Sequence, residues 1–158
     1  MSFRNIDQHG DRDYIVYCDG GCSPVSGAWA CIVVARDGSE QECSGLVFGT
    51  TNNIMELSGA LAGLLLCPEG SKVRVVSDSQ YVIKSLGMWI KGWERRGWRK
   101  TDGGPVKNLD LIKELHATAI KRSVEYRWVR GHSGHHWNER CDVLCGDLIK
   151  LGSRLMAL

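Results

Sequence analysis

The chain has 158 residues, 43% hydrophobic and 24% charged, with a formal net charge of +2. That length suits one domain with a real core, and no apolar run approaches the roughly 18 residues a membrane span needs. A net charge so near zero does not by itself announce a nucleic-acid binder; only the distribution of charge along the chain can do that.

The polar stretch Met1 to Asp13 is neither an export signal nor an anchor. Residues 1–12 are expected to form a loosely ordered tail, 13–153 a single domain and 154–158 a C-terminal end. Tyr14 to Cys18 is a β-branched and aromatic run, and Asp19-Gly20-Gly21 after it reads as a turn. Ala28 to Ala35 is a second strand, closed by the hairpin signal Asp37-Gly38, with Glu40 to Phe48 returning. From Asn53 to Leu66 the period changes: Ile54, Leu57, Leu61, Leu64 and Leu65 recur at helical spacing, until Pro68 to Gly70 end the helix. Val73 to Val76 is a short central strand. A helical stretch follows from Ser79, interrupted at Gly87, Gly92 and Gly97, and Asn108 to Arg122 is another amphipathic helix. Val124 to Val129 is a fifth strand, and Trp137 to Leu151 a closing helix.

This order predicts an α/β fold: a five-stranded mixed sheet, three antiparallel strands then two parallel, flanked by helices. The crossover helix should bring strand four parallel to strand one, making a switch point of the kind where open sheets place a ligand crevice. Asp19 and Asp78 would meet there.

Each acidic residue near that point also has an ordinary use. Asp19 fits an Asp-Gly turn, Glu56 a capping box begun at Asn53, Asp78 a helix cap, and Asp142 the favourable end of a helix dipole. Together they suggest more. Four carboxylates in one crevice repel one another unless cations are present, and oxygen ligands suit Mg²⁺ or Mn²⁺. Two such ions about 3.5–4 Å apart can activate a water and stabilise the leaving oxygen of a phosphodiester.

Five stretches carry a resemblance. They are Tyr17-Cys-Asp19-Gly-Gly-Cys22, Thr50-Thr51-Asn52-Asn53-Ile-Met-Glu56, Ser77-Asp78-Ser-Gln80-Tyr-Val82, Trp128-Val-Arg-Gly-His132-Ser-Gly-His135 and Asn138-Glu-Arg-Cys-Asp142. In register from about Tyr14 to Ile149, they resemble ribonuclease H of the type 1, bacterial kind. The resemblance implies cleavage of the RNA strand of RNA–DNA hybrids, with two Mg²⁺ ions (or Mn²⁺) held by Asp19, Glu56, Asp78 and Asp142. It implies that His132 assists proton transfer or product release. It also implies that Cys22, Asn52, Glu56 and Gln80 read the RNA 2′-hydroxyls and minor groove, and that Thr51 contacts a DNA phosphate. The turn Cys22 to Gly27 is shorter than is usual in the family and lacks an Asn before its Pro, and Ile54 stands where a basic residue is frequent.

Lys84 to Lys100 carries Lys84, Lys91, Arg95, Arg96, Arg99 and Lys100 against the single acid Glu94, with Trp89, Trp93 and Trp98 among them. One reading is a tryptophan face on the core with solvated cations opposite. The other, which the resemblance favours, is a basic protrusion holding the DNA strand through charge and stacking. His132, His135, His136, Cys141 and Cys145 could be read as a zinc cluster, but they crowd one loop and one helix rather than two arms. Cys141 and Cys145, one helical turn apart, fit core thiols. Seven cysteines, an odd number, suggest free thiols in a reducing cytoplasm. A cytoplasmic monomer without membrane contact is therefore expected. Two rival functions are a hybrid-binding module without catalysis and a DNA nuclease of the same fold.

Overall fold

The computed structural model describes residues 7–158. Strands β1 (Tyr14–Cys22), β2 (Ser26–Ala35) and β3 (Glu40–Phe48) form an antiparallel meander. Helix α1 (Asn52–Leu65) crosses to β4 (Lys72–Ser77). Next come α2 (Gln80–Lys84), a π-helical turn over Ser85–Trp89, and α3 (Ile90–Arg95). Helix α4 (Leu109–Ala119), β5 (Ser123–Trp128) and α5 (His136–Met156) complete the chain. The sheet order is β3-β2-β1-β4-β5, with β1–β4 and β4–β5 parallel, so the expected mixed sheet is the one found.

Strand alternation builds a core on each face of the sheet. Val16, Cys18, Val73 and Val75 pack with Leu57 and Leu64 of α1 and Ile112 and Leu115 of α4. Ile15, Tyr17, Ile32 and Val76 pack with Cys141 and Cys145 of α5. The two cysteines are buried free thiols, as their helical spacing suggested. Among the described residues no helix is long and apolar enough to cross a membrane.

Several boundaries differ from expectation, each for a packing reason. Asp19-Gly20-Gly21 is not a turn: β1 continues to Cys22, with Asp19 opposite Ala30 and Gly20 opposite Trp29. The glycine serves close approach instead, because a Cβ at Gly20 would collide with the backbone of Met55 and Glu56 in α1. Helix α5 runs past Gly152 through residues 154–156, where a separate C-terminal end was expected. Gly152 is buried against Ser26 and Leu46, so it too permits contact rather than ending a helix.

Part of the expected tail, residues 1–6, lies outside the described residues. Residues 7–12 are not loose. Arg74 donates to Gln8 O at 2.7 Å, Arg36 to Gly10 O at 2.8 Å, and Arg12 to Ser123 O at 3.0 Å. These charge-assisted bonds tie a polar segment to the sheet although it buries little apolar surface.

Candidate active site

Parallel pairing of β1 with β4 ends at Tyr17 and Val76, so Asp19 and Asp78, each two residues further on, emerge side by side. Helix α1 supplies Glu56. It lies flat on the sheet because its inner face is small: a Cβ on Gly59 would stand only 2.8 Å from Asp19 O and 3.0 Å from Ala30 O. Thr51 caps this helix through Ile54 N at 3.2 Å, so Asn53 and Glu56 do not form the capping box the sequence allowed. Ser79, not Asp78, caps α2, accepting from Val82 N. Two structural uses of these carboxylates are thereby removed.

Asp19, Glu56 and Asp78 bring one ligand oxygen each within 4.8 Å of one another. Asp142, on α5, adds its charge to Asp19 from the rim. Burial first, then the charge of Asp78, raises the pKa of Asp19. Burial, then Asp19 and Asp78, raises that of Glu56. Glu56 Oε2 is buried without a hydrogen-bond partner. An orphaned oxygen among like charges fits a hard divalent cation.

Around this set the scaffold is polar and specific. Trp128 Nε1 donates to Asp78 O at 2.9 Å, and Asn138 Nδ2 to Asp78 Oδ2 at 3.3 Å. Neither contact was expected, although Trp128 and Asn138 both lie within stretches that carried the resemblance. His132 is 86% exposed at its side chain, takes a left-handed φ of 53°, and places Nδ1 4.0 Å from Asp142 Oδ2. A Cβ at the neighbouring Gly131 would lie 3.0 Å from Asp78 Oδ2.

The residues expected to read the substrate fall into two groups. Cys22 ends β1, Thr51 and Asn52 stand at the start of α1, and Gln80 begins α2. Asn52 Oδ1 accepts from Cys22 N at 2.8 Å, which joins the end of β1 to the start of α1. Thr51 and Gln80 are exposed.

In the basic segment the tryptophans divide. Trp93 is only 8% exposed and belongs to the core, and Trp98 packs against it partly buried, with His116 beside it and the Lys113 ammonium 5.3 Å over its ring. The burial of Trp93 matches the reading of a tryptophan face on the core, while Trp98 is only partly buried. Trp89 and Trp93 do meet as a four-residue spacing requires, at 5.9 Å, with Trp93 set largely into the core and Trp89 40% exposed. Lys91, Arg95, Arg96, Arg99 and Lys100 are all exposed. Trp89, Trp93, Arg95, Arg96 and Lys100 line a surface cavity of about 480 Å³. Arg96 also donates to Arg99 O at 3.1 Å, and Lys100 pairs with Asp102 at 3.7 Å. The histidines and cysteines near α5 form no metal-ligating group among the described residues. His135 instead caps α5, accepting from Asn138 N.

Comparison with known proteins agrees with this geometry. Residues 11–150 match the family described as RNase H. The chain is 49% identical over 132 residues to a ribonuclease H of Methylorubrum extorquens, covering 82% of this chain and 57% of that protein. It is 46% identical over 131 residues to the ribonuclease H of Thiobacillus denitrificans, covering 82% and 88%. With the ribonuclease HI of Caulobacter vibrioides it shares 44% over 134 residues, covering 84% and 89%. Among solved structures, LC9-RNase H1, a type 1 RNase H with the type 2 active-site motif, superposes with a TM-score of 0.76 at 27% identity. That match covers 87% of this chain and 72% of the other. A foamy viral protease-reverse transcriptase in complex with RNA/DNA hybrid shares the fold, at a TM-score of 0.79 and 13% identity over 94% of this chain and 21% of that one.

Proposed function

The chain belongs to the ribonuclease H family, and from that premise we propose that it hydrolyses the RNA strand of RNA–DNA hybrids in a divalent-metal-dependent reaction. The observation that carries this reading is the convergence of Asp19, Glu56 and Asp78, with Glu56 Oε2 buried and unpartnered. Asp19, Glu56 and Asp78 would hold two Mg²⁺ ions (Mn²⁺ being the alternative), with Asp142 completing the set. Bound there, the ions supply charge neutralisation and an activated water for in-line attack at phosphorus. The products are a 5′-phosphate and a 3′-hydroxyl.

The protein's own groups do the rest. Cys22, Asn52 and Gln80, with Glu56, meet the RNA 2′-hydroxyls, the feature that separates RNA from DNA. Thr51 contacts a DNA phosphate. Trp89, Lys91, Arg95, Arg96, Arg99 and Lys100 hold the DNA strand, where positive charge gathers counterion-release energy and Trp89 offers a stacking face. His132, exposed beside Asp142, serves proton transfer or product release.

A strand-labelled hybrid incubated with the purified chain and Mg²⁺ tests this, with EDTA and Asp19→Asn as controls. Cleavage confined to the RNA strand and lost in both controls is expected. Tight hybrid binding with the RNA left intact would instead make the chain a hybrid-binding module.

A further inference from the structure

Asp7 stands ahead of the family-matched residues 11–150, yet it is joined to the carboxylate set by hydrogen bonds. Its Oδ2 accepts from Tyr17 OH at 2.8 Å and meets His135 Nε2 at 2.9 Å. On its other side the His135 ring caps α5, with Nδ1 accepting from Asn138 N at 3.3 Å. Asn138 in turn donates its side-chain amide to Asp78 Oδ2 at 3.3 Å. A single polar chain therefore runs Asp7, His135, Asn138, Asp78.

The chain fixes a tautomer. A ring nitrogen that accepts from a backbone N–H carries no proton, so the His135 proton resides on Nε2 and is donated to the Asp7 carboxylate. The ring is buried and lies 5.6 Å from that of Tyr17, so it has no water to turn to as a substitute partner. Were Asp7 absent, the ring could carry its proton on Nδ1 instead, and that change would set an N–H against the N–H of Asn138. Burial alone would raise the pKa of Asp7, but the bonds from His135 and Tyr17 outweigh it and hold the carboxyl below its ordinary value, so it is an anion at neutral pH.

We propose that Asp7 is a positioning residue for the active site: through His135 it sets the first turn of α5, and so the Asn138 amide that orients Asp78. The same turn follows the His132 loop and precedes Asp142, so both inherit its placement. The role is that of an outer partner that aligns a metal ligand, and it comes from a segment beyond the family match. It rests on the metal-dependent reading given above.

Full-length wild type, Asp7→Ala and Asp7→Asn, with Tyr17→Phe as a fourth protein, test the proposal by two readouts besides turnover. Long-range ¹⁵N–¹H NMR reports the His135 tautomer, and Mg²⁺ titration followed by NMR reports metal affinity without substrate. Wild type is expected to carry the His135 ring proton on Nε2. Asp7→Ala is expected to lose that single form, to need roughly tenfold more Mg²⁺ for half-saturation, and to lose kcat by a similar factor with little change in KM. Asp7→Asn, which retains an acceptor for one donor, should fall between. A folded Asp7→Ala whose Mg²⁺ affinity and kcat stay within about twofold of wild type would overturn the proposal, leaving Asp7 a packing residue. Were Asp7→Ala not to fold, wild type and Tyr17→Phe would decide: an Nδ1–H His135 in wild type would overturn the proposal, and a mixed tautomer in Tyr17→Phe would support it. Failure of the wild type to cleave hybrid would sink the functional reading, while the tautomer and Mg²⁺ measurements would still judge Asp7.

Discussion

Asp19 and Asp78 stand two residues beyond Tyr17 and Val76, the last parallel pair between β1 and β4, so a sheet register places one carboxylate beside another. The consequence is electrostatic. In the metal-free chain the pKa of Asp19 and of Glu56 is raised by burial and by neighbouring carboxylates, so the folded state holds protons the unfolded chain has released. For a raised carboxyl, stability is full below the ordinary carboxylate value near 4 and declines as pH climbs through the raised ones. We expect the metal-free Tm to fall on going from pH 5 to pH 9. Mg²⁺ should restore it, and by more at pH 8.5 than at pH 6, because ligand deprotonation then costs less. Thermal melts with and without Mg²⁺ across that range check both signs.

The same repulsion separates function from stability at Asp19, which is 5% exposed. Asp19→Asn removes one buried like charge and retains the shape. It should abolish cleavage while raising metal-free stability at pH 8 by roughly 1–2 kcal/mol, an increase of about 2–4 °C per kcal/mol for a chain this size. Calorimetry beside the cleavage assay measures the two effects; a variant both active and less stable would contradict the electrostatic account.

Gly20 makes the site geometrically possible. Gly20→Ala drives a methyl group into the backbone of Met55 and Glu56, where no flexible side chain can yield. A loss of about 3 kcal/mol is expected in denaturant titration, at the upper end for overpacking, together with loss of cleavage as α1 lifts away.

The division of the tryptophans gives opposite outcomes at two positions four residues apart. Trp93→Ala opens a core cavity and should cost about 3–5 kcal/mol. Trp89→Ala should leave the Tm nearly unchanged and raise KM for hybrid, since a stacking contact with a base is worth about 1–3 kcal/mol. Arg95→Gln should likewise raise KM and reduce the slope of log KM against log salt by about 0.7–0.9, one phosphate contact's share. Steady-state kinetics over a salt series, with melts of the same proteins, distinguish the roles.

His132 is exposed and lies 4.0 Å from Asp142. His132→Ala should lower kcat about a hundredfold, the lower end for a proton-transfer group, with KM little changed. Unchanged turnover would remove His132 from the reaction.

Much of this arrangement was legible in the chain. The β-branched and aromatic runs of β1 and β2, helical spacing in α1 and the crossover rule were enough to place Asp19 beside Asp78, since each depends on local pattern and generic topology. The errors lie where a residue type serves tertiary contact. Gly20 looked like part of a turn and the last helix was ended at Leu151, but Gly20 and Gly152 are both small because a second element presses on them. For Trp89 and Trp93 a four-residue spacing says that they share a face and not which way the face points, so the core and nucleic-acid readings both stood. Asp7 gave no signal at all, since its partners His135 and Tyr17 are remote in sequence and meet only in the folded chain. The substrate contacts of Cys22, Asn52 and Gln80 were read from a motif rather than from physics, because exposed polar groups leave no imprint on periodicity.

The most direct test of the central claim compares three end-labelled duplexes of one sequence, RNA–DNA, RNA–RNA and DNA–DNA, with the chain in Mg²⁺. The account expects scission of the RNA strand in the hybrid alone, leaving 5′-phosphate and 3′-hydroxyl ends. Cutting of the DNA duplex, or equal cutting of both RNA-containing duplexes, would contradict it.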